Sequence, residues 1–160
     1  MAIEAEGTFN VGDVWRGSLL ASRKVMIFIT VLGAAVIVFG VGGLVYEPQG
    51  EGSWSLILAG VFVWLFYWAN LFYRSYRAVR KTPNLQGPVH FHFDDTGFSF
   101  DSLHVRAELK WGASVKWKES KSVFLVYQNP RLGNIIPKRF FSSHADVDAV
   151  RELLRAHVRK

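Results

Sequence analysis

The chain has 160 residues, with 19 Lys and Arg against 13 Asp and Glu, and no cysteine. The missing cysteine excludes a disulfide framework, a thiolate nucleophile and a Cys-based zinc site. The net charge of +6 would suit an acidic partner, but where the charges fall along the chain decides more than their sum.

Residues 2–9 (AIEAEGTF) predict a short strand. Asp13 is placed to cap a short helix through Val14, Trp15, Leu19 and Leu20. Its apolar residues recur at helical spacing above a basic rim, so it is expected at a membrane interface.

Two uncharged stretches follow, residues 25–46 (VMIFITVLGAAVIVFGVGGLVY) and 54–73 (WSLILAGVFVWLFYWANLFY). At ~1.5 Å rise per residue each reaches roughly 30 Å, the thickness of a bilayer's hydrocarbon core. Only EPQGEGS separates them, which predicts a transmembrane helical hairpin over 25–73. A signal peptide fits poorly, because Glu4 and Glu6 stand where basic residues belong and the apolar run starts late.

All the Lys and Arg lie outside the hairpin. Arg16, Arg23 and Lys24 lead into the first span, and Arg74, Arg77, Arg80 and Lys81 follow the second. Basic residues within ~15–20 residues of a span end stay cytoplasmic. Both termini are therefore expected inside, with the acidic turn (Glu47, Glu51) outside. Tyr46 and Trp54 suit the outer interface; Tyr67, Trp68, Tyr73 and Tyr76 suit the inner one. Gly33, Ala34, Gly40 and Gly43 allow close helix packing.

Beyond the linker 82–88 (TPNLQGP) the period changes from helix to strand. Val89, Phe91 and Phe93 alternate with His90 and His92; Asp94-Asp95-Thr96-Gly97 turns; Phe98 and Phe100 continue. Residues 104–111 alternate strictly, with Val105, Ala107, Leu109 and Trp111 on one side. Val115 and Trp117 form the next inward pair, and 123–127 (VFLVY) reads as a central strand. A turn over 129–133 leads to a short last strand, 134–137, which Pro137 should end or hold at an edge. Ser143, with Asp146 three residues on, caps a final helix. Its apolar face is Val147, Val150, Leu154 and Val158, with Leu153 beside them, and Arg155, Arg159 and Lys160 complement its C-terminal dipole.

About six strands after the hairpin, a seventh before it and a capping helix predict an antiparallel β-sandwich or open barrel. That is the organisation of pleckstrin-homology-like (PH-like) domains. The class is an α+β membrane protein with three segments: 1–24 (strand and interfacial helix), 25–73 (hairpin) and 74–160 (β domain with C-terminal helix). If residues 2–9 join the sheet, the hairpin is an insertion between the first and second strands.

FDDTGFSF at 93–100, LKW at 109–111, WKES at 117–120, FLVY at 124–127 and IIPKRFFSS at 135–143 resemble the YcxB-like family of bacterial membrane proteins. The two spans and the N-terminal strand fit as well. The resemblance implies a membrane hairpin with a cytoplasmic PH-like domain. It implies no activity, substrate or catalytic residue.

Candidate chemistry is sparse. His90 and His92 share a strand face near Asp94, Asp95 and His104, as an H-x-H metal pair must. That is also the polar face, and the aspartates are ordinary turn residues. Ser142, Ser143 and His144 suggest a nucleophile and base, but no nucleophile elbow is present and capping explains Ser143. No phosphate-loop or dinucleotide fingerprint occurs, so no cofactor is expected. Trp111 and Trp117, among Lys110, Lys116 and Lys118, could stack nucleic-acid bases; their inward alternation makes them core residues.

The most suggestive segment is 136–141, where Lys138 and Arg139 stand among exposed-looking aromatics, as a headgroup or partner contact needs; the plainer reading is that Phe140 or Phe141 staples the terminal helix and the cations are solvated. With Arg77, Arg80 and Lys81 they form the candidate contact for lipid headgroups or a protein. The expected role is a non-enzymatic binding or regulatory module in the bacterial inner membrane, with an unidentified protein partner or lipid and no nucleic acid. The competing reading is a small subunit or homo-oligomer of a transport or pore complex. The spans lack the charges that ion paths carry.

Overall fold

The computed structural model describes residues 3–46, 51–129 and 132–158. The turn residues 47–50, Pro130 and Arg131 before the last strand, and the terminal cations Arg159 and Lys160 lie outside the described residues, as do the side chains of Glu51 and Asn84. The chain divides into two compact units, Met1–Ala21 with Ser75–Lys160, and Ser22–Arg74.

The Ser22–Arg74 unit holds α2 (Arg23–Tyr46) and the greater part of α3 (Glu51–Lys81). Both helices are long and apolar enough to cross a membrane. Their large apolar side chains point outward: Phe39 is 76% exposed and Phe62 66%. The helices meet through glycine, as the sequence predicts. A Cβ at Gly40 would stand 2.9 Å from the Ser53 carbonyl oxygen, and one at Gly60 3.1 Å from that of Gly33. Gly43 faces the Ser53 side chain, whose hydroxyl lies where a Cβ would go. Ala34 takes no part and is exposed. Thr30 donates its hydroxyl to the Met26 carbonyl at 2.9 Å, satisfying the group within its own helix.

The other unit is α+β. β1 (Ile3–Thr8) leads to α1 (Val11–Ala21). After α3 come β2 (Pro88–Phe93), β3 (Gly97–Ser102), β4 (Val105–Lys110), β5 (Lys116–Glu119), β6 (Val123–Tyr127), β7 (Gly133–Pro137) and α4 (His144–His157). One antiparallel sheet has the order β1-β2-β3-β4, the other β5-β6-β7. β1 pairs with β2 from Ile3↔Phe93 to Thr8↔Pro88, although α1, α2 and α3 lie between them in the chain. The hairpin is thus an insertion between adjacent strands.

Alternation puts Phe91 and Phe93 inside, with His90 and His92 on the other face. β6 is buried at every position, which suits the middle strand of its sheet. Phe141 ties the sheets together. Its backbone bridges to Ala5, and its ring lies 5.7 Å from that of Phe93 in one sheet and 6.4 Å from that of Phe124 in the other. α4 adds Val147, Val150 and Leu154 to the core. Its start is a reciprocal capping box: the Asp146 N–H donates to Ser143 Oγ and the Ser143 N–H to Asp146 Oδ2, both at 3.1 Å.

Several expectations change. The cap of α1 is Asn10, with Asp13 three residues in. The Asn10 N–H donates to Asp13 Oδ2 (3.0 Å) and the Asp13 N–H to Asn10 Oδ1 (2.9 Å). α1, expected at a bilayer interface, packs against β6 and β7; the side chain of Ile135 lies where a Cβ on Gly17 would go. Trp111 is core (3% exposed) but opens a 3-10 turn, Trp111–Ala113, rather than ending β4. Its indole N–H donates to the Asp94 carbonyl at 2.9 Å. Val115, expected inside with Trp117, lies before β5 and is exposed.

Candidate functional site

The segment 136–141 comes together with α1 and α4 at one end of the β unit. Ile136 is core, and Pro137 ends β7 and starts a 3-10 turn, Lys138–Phe140. Phe140 stands edge-on to Phe9 at 5.3 Å and fills the space over Gly7, where a Cβ would collide with its ring. Phe140 and Phe141 are therefore buried, in keeping with the packing reading of the segment rather than the exposed one. Of the two cations between Pro137 and Phe140, Arg139 is exposed and Lys138 half-buried.

Both cations are already paired. The Arg139 guanidinium forks onto Asp13, Nη2 to Oδ2 at 2.6 Å and Nε to Oδ1 at 3.2 Å, and Nη2 also donates to the Thr8 carbonyl at 2.6 Å. The Asp13 side chain is only 2% exposed. A partner this well placed offsets the cost of burying the carboxylate. The same hydrogen bond pushes the Arg139 pKa further up. Lys138 places Nζ 2.5 Å from Glu119 Oε1 and 4.7 Å from the centre of the Phe124 ring. Glu119 Oε1 also accepts from Arg151 Nε at 2.9 Å, and Arg151 bonds Asp148 as well. Burial alone would push the Glu119 carboxyl up. The Lys138 and Arg151 hydrogen bonds outweigh it and hold it below its ordinary value of 4.5.

These pairs form a wall of a cleft of about 580 Å³, completed by Arg16, Lys121, Ser142 and the start of α4. Arg16 and Lys121 are exposed and have no carboxylate partner among the described residues. Five cations against two carboxylates line the cleft, so its field is positive and suits an anion. The sequence does not single out Lys121, and it marks Arg16 only as a basic flank of the first span. Arg16 follows Asp13 by three residues on α1, the same face of a helix, but that spacing means something only once Asp13 is known to face Arg139 in the turn after β7.

Arg77, Arg80 and Lys81 lie in the last turns of α3 and are exposed. The neighbouring Ala78 and Val79 pack on the β core. Arg80 stacks 5.2 Å over the Tyr76 ring, and its carbonyl accepts from Gln86 Nε2 at 2.6 Å, fastening the linker. Arg80 lines a different cleft, with Tyr76, Phe9 and Val11. The five sequence-predicted residues therefore form two groups on either side of α1, with Val11 in one cleft and Arg16 in the other.

Four of the remaining candidates make local contacts. His90 and His92 face Glu6 and Glu4 across the β1–β2 pair at 3.5 and 3.7 Å. No three metal-ligating side chains converge among the described residues. Asp94 accepts from Thr96 Oγ1 and from the N–H groups of Thr96 and Gly97, which lower its pKa and close the β2–β3 turn. Ser143 Oγ donates to Asp146 Oδ2 at 2.8 Å.

The model of the YcxB-like protein family matches residues 93–154. This is the family the sequence motifs resemble, and the match covers Lys138, Arg139 and Arg151 of the cleft and Glu119, which pairs with two of them. No curated protein and no solved structure matches the chain significantly.

Proposed function

We propose that this chain is a bacterial inner-membrane protein whose PH-like domain is held at the cytoplasmic face as a non-catalytic binding module. One observation carries the reading. β1 and β2 are hydrogen-bonded neighbours, yet the helices long enough to span a membrane are spliced between them. A domain joined to a hairpin at two points, by α1 and by the tail of α3, is confined far more tightly than one on a single linker. Its occupant is an anionic surface or partner, because both connections carry exposed cations with no carboxylate partner among the described residues: Arg16, and Arg77, Arg80 and Lys81. Each Lys or Arg near an anionic bilayer contributes ~1 kcal/mol. Lys138 and Arg139 shape the cleft through their internal ion pairs and add to its positive field.

The test uses the full chain in nanodiscs, with a fluorophore at Ser142→Cys and a headgroup quencher. Quenching should be strong in anionic lipid. It should fall in neutral lipid, in high salt, and when Arg77, Arg80 and Lys81 are changed to Glu. Quenching that ignores lipid charge, salt and the reversals would refute the headgroup contact.

A further inference from the structure

β4 is the last strand of the four-stranded sheet. At the opposite side of that sheet, β1 is bridged at Ala5 by Phe141. Among the described residues no strand or bridge reaches the outer side of β4. The strand carries no proline, glycine or bulge of the kind that keeps a second strand away from an edge.

The direction of its free backbone groups follows from the ladder. The Trp111 N–H donates to the Thr96 carbonyl at 3.0 Å, one step beyond the Gly97↔Lys110 pair. Antiparallel neighbours bond through alternate residues. Val105, Ala107 and Leu109 therefore direct their N–H and C=O groups at β3, and Arg106, Glu108 and Lys110 turn theirs outward. The side chains of these last three are exposed and form no ion pair among the described residues.

We propose that this edge pairs antiparallel with β4 of a second copy of the chain, about a two-fold axis at Ala107, joining the two four-stranded sheets into one. The charges select the register. Centred on Ala107, Arg106 of each copy faces Glu108 of the other, and each such pair can exchange both backbone hydrogen bonds. On the other face, Val105, which is 37% exposed, meets the second copy's Leu109. Ala107 meets its own copy where side chains stand closest, and its small methyl fits there. Centring on Glu108 sets Glu108 against itself and Arg106 against Lys110. Centring on Arg106 sets two arginines together. Centring on Leu109 leaves little overlap, because Trp111 has already left the strand. A slip to a point between residues sets an outward-facing residue against one already bonded to β3 and forfeits the ladder. None of the cations assigned to the headgroup contact lies in β4, so the two proposals stand or fall separately.

The chain has no cysteine, so single substitutions read the register. Arg106→Cys, Ala107→Cys, Glu108→Cys and Leu109→Cys are each made in the full chain, reconstituted in proteoliposomes and mildly oxidised. Ala107→Cys should give the highest yield of disulfide-linked dimer, because this residue alone faces its own copy at the ~4.4–6.8 Å Cα separation a disulfide spans. The other three should lose most of that yield. Charge reversal on the Ala107→Cys background is the second arm. Arg106→Glu or Glu108→Arg should raise the protein-to-lipid ratio needed for half-maximal cross-linking about tenfold, since two cross-strand pairs turn from attraction to repulsion. Glu108→Arg is the cleaner of the two, because its neighbour on β3 is Ser99, whereas Arg106 lies opposite Asp101. The two reversals together should restore the ratio to within about threefold of the parent. A maximum at any other position, equal yields at all four, no dimer at any, or a double reversal as weak as the single ones overturns the proposal. Cross-linking of the position-107 cysteine to other proteins in cell membranes, in place of its own copy, would give the edge to a foreign strand and overturn it as well.

Discussion

Phe93 and Phe62 are the same residue in opposite surroundings. Phe93 is sealed in the β core at 0% exposure, while Phe62 on α3 is 66% exposed. The same contrast holds for whole faces of the two units, and composition alone does not distinguish them. Spacing does. Around Phe62 the apolar run is unbroken for a span's length; around Phe93 it alternates and is cut by Asp94 and Gly97. Apolar side chains in one region are made to meet each other, and those in the other suit a hydrocarbon surround.

The largest expected effect sharpens that contrast. Phe93→Ala should lower β-unit stability by about 3–5 kcal/mol, read by chemical denaturation of the full chain in nanodiscs with tryptophan fluorescence. Phe62→Ala should leave that transition in place. Similar shifts for both would erase the distinction.

Arg139→Ala should come next, at about 3–5 kcal/mol, because it leaves the Asp13 carboxylate buried and unpaired. Adding Asp13→Asn should recover part of the loss. A cost below about 0.5 kcal/mol, the range of an ordinary surface charge, would show that Asp13 reaches water.

Gly7→Ala should cost about 1–3 kcal/mol by overpacking against the Phe140 ring. Gly42→Ala, in the other unit, meets open space and should leave the same transition unchanged.

A smaller effect is pH-dependent. The Glu119 carboxyl is held below its ordinary value in the folded state. Its contribution is therefore complete above about pH 4.5 and is lost as the pH falls through the depressed folded value. Glu119→Gln should be less stable than the parent at neutral pH, with the difference shrinking below pH ~4.5. A gap that widens in acid would reverse the sign assigned to this carboxyl.

The smallest is Lys110→Ala at the exposed end of β4, under about 0.5 kcal/mol.

Local features were legible in the sequence and distant pairings were not. Ser143 and Asp146 are three residues apart, so their capping box can be read directly. Asn10 and Asp13 have the same spacing, but the apolar run after Asp13 drew attention to the wrong cap. The strict alternation over 104–111 marks a strand, yet β4 is the outermost of its sheet and Val105 is 37% exposed. Alternation reports two unlike faces, not how deeply either is buried. Lys138 and Arg139 looked free because their partners, Glu119 and Asp13, lie 19 and 126 residues away. Reversing their charge to probe lipid contact would break these pairs and confuse folding with binding. Arg77, Arg80 and Lys81 are the cleaner probes.

The most direct measurement concerns the arrangement itself, a hairpin spliced between β1 and β2 with the β unit in the cytoplasm. Single cysteines replace Gly52 at the start of α3 and Ser142 beside the cleft, both exposed, in a chain with none of its own. Intact cells are then treated with a membrane-impermeant maleimide. The anchored arrangement predicts that Gly52→Cys is labelled and that Ser142→Cys is labelled only after the inner membrane is permeabilised. Labelling of Ser142→Cys in intact cells, or of neither position until permeabilisation, would contradict it.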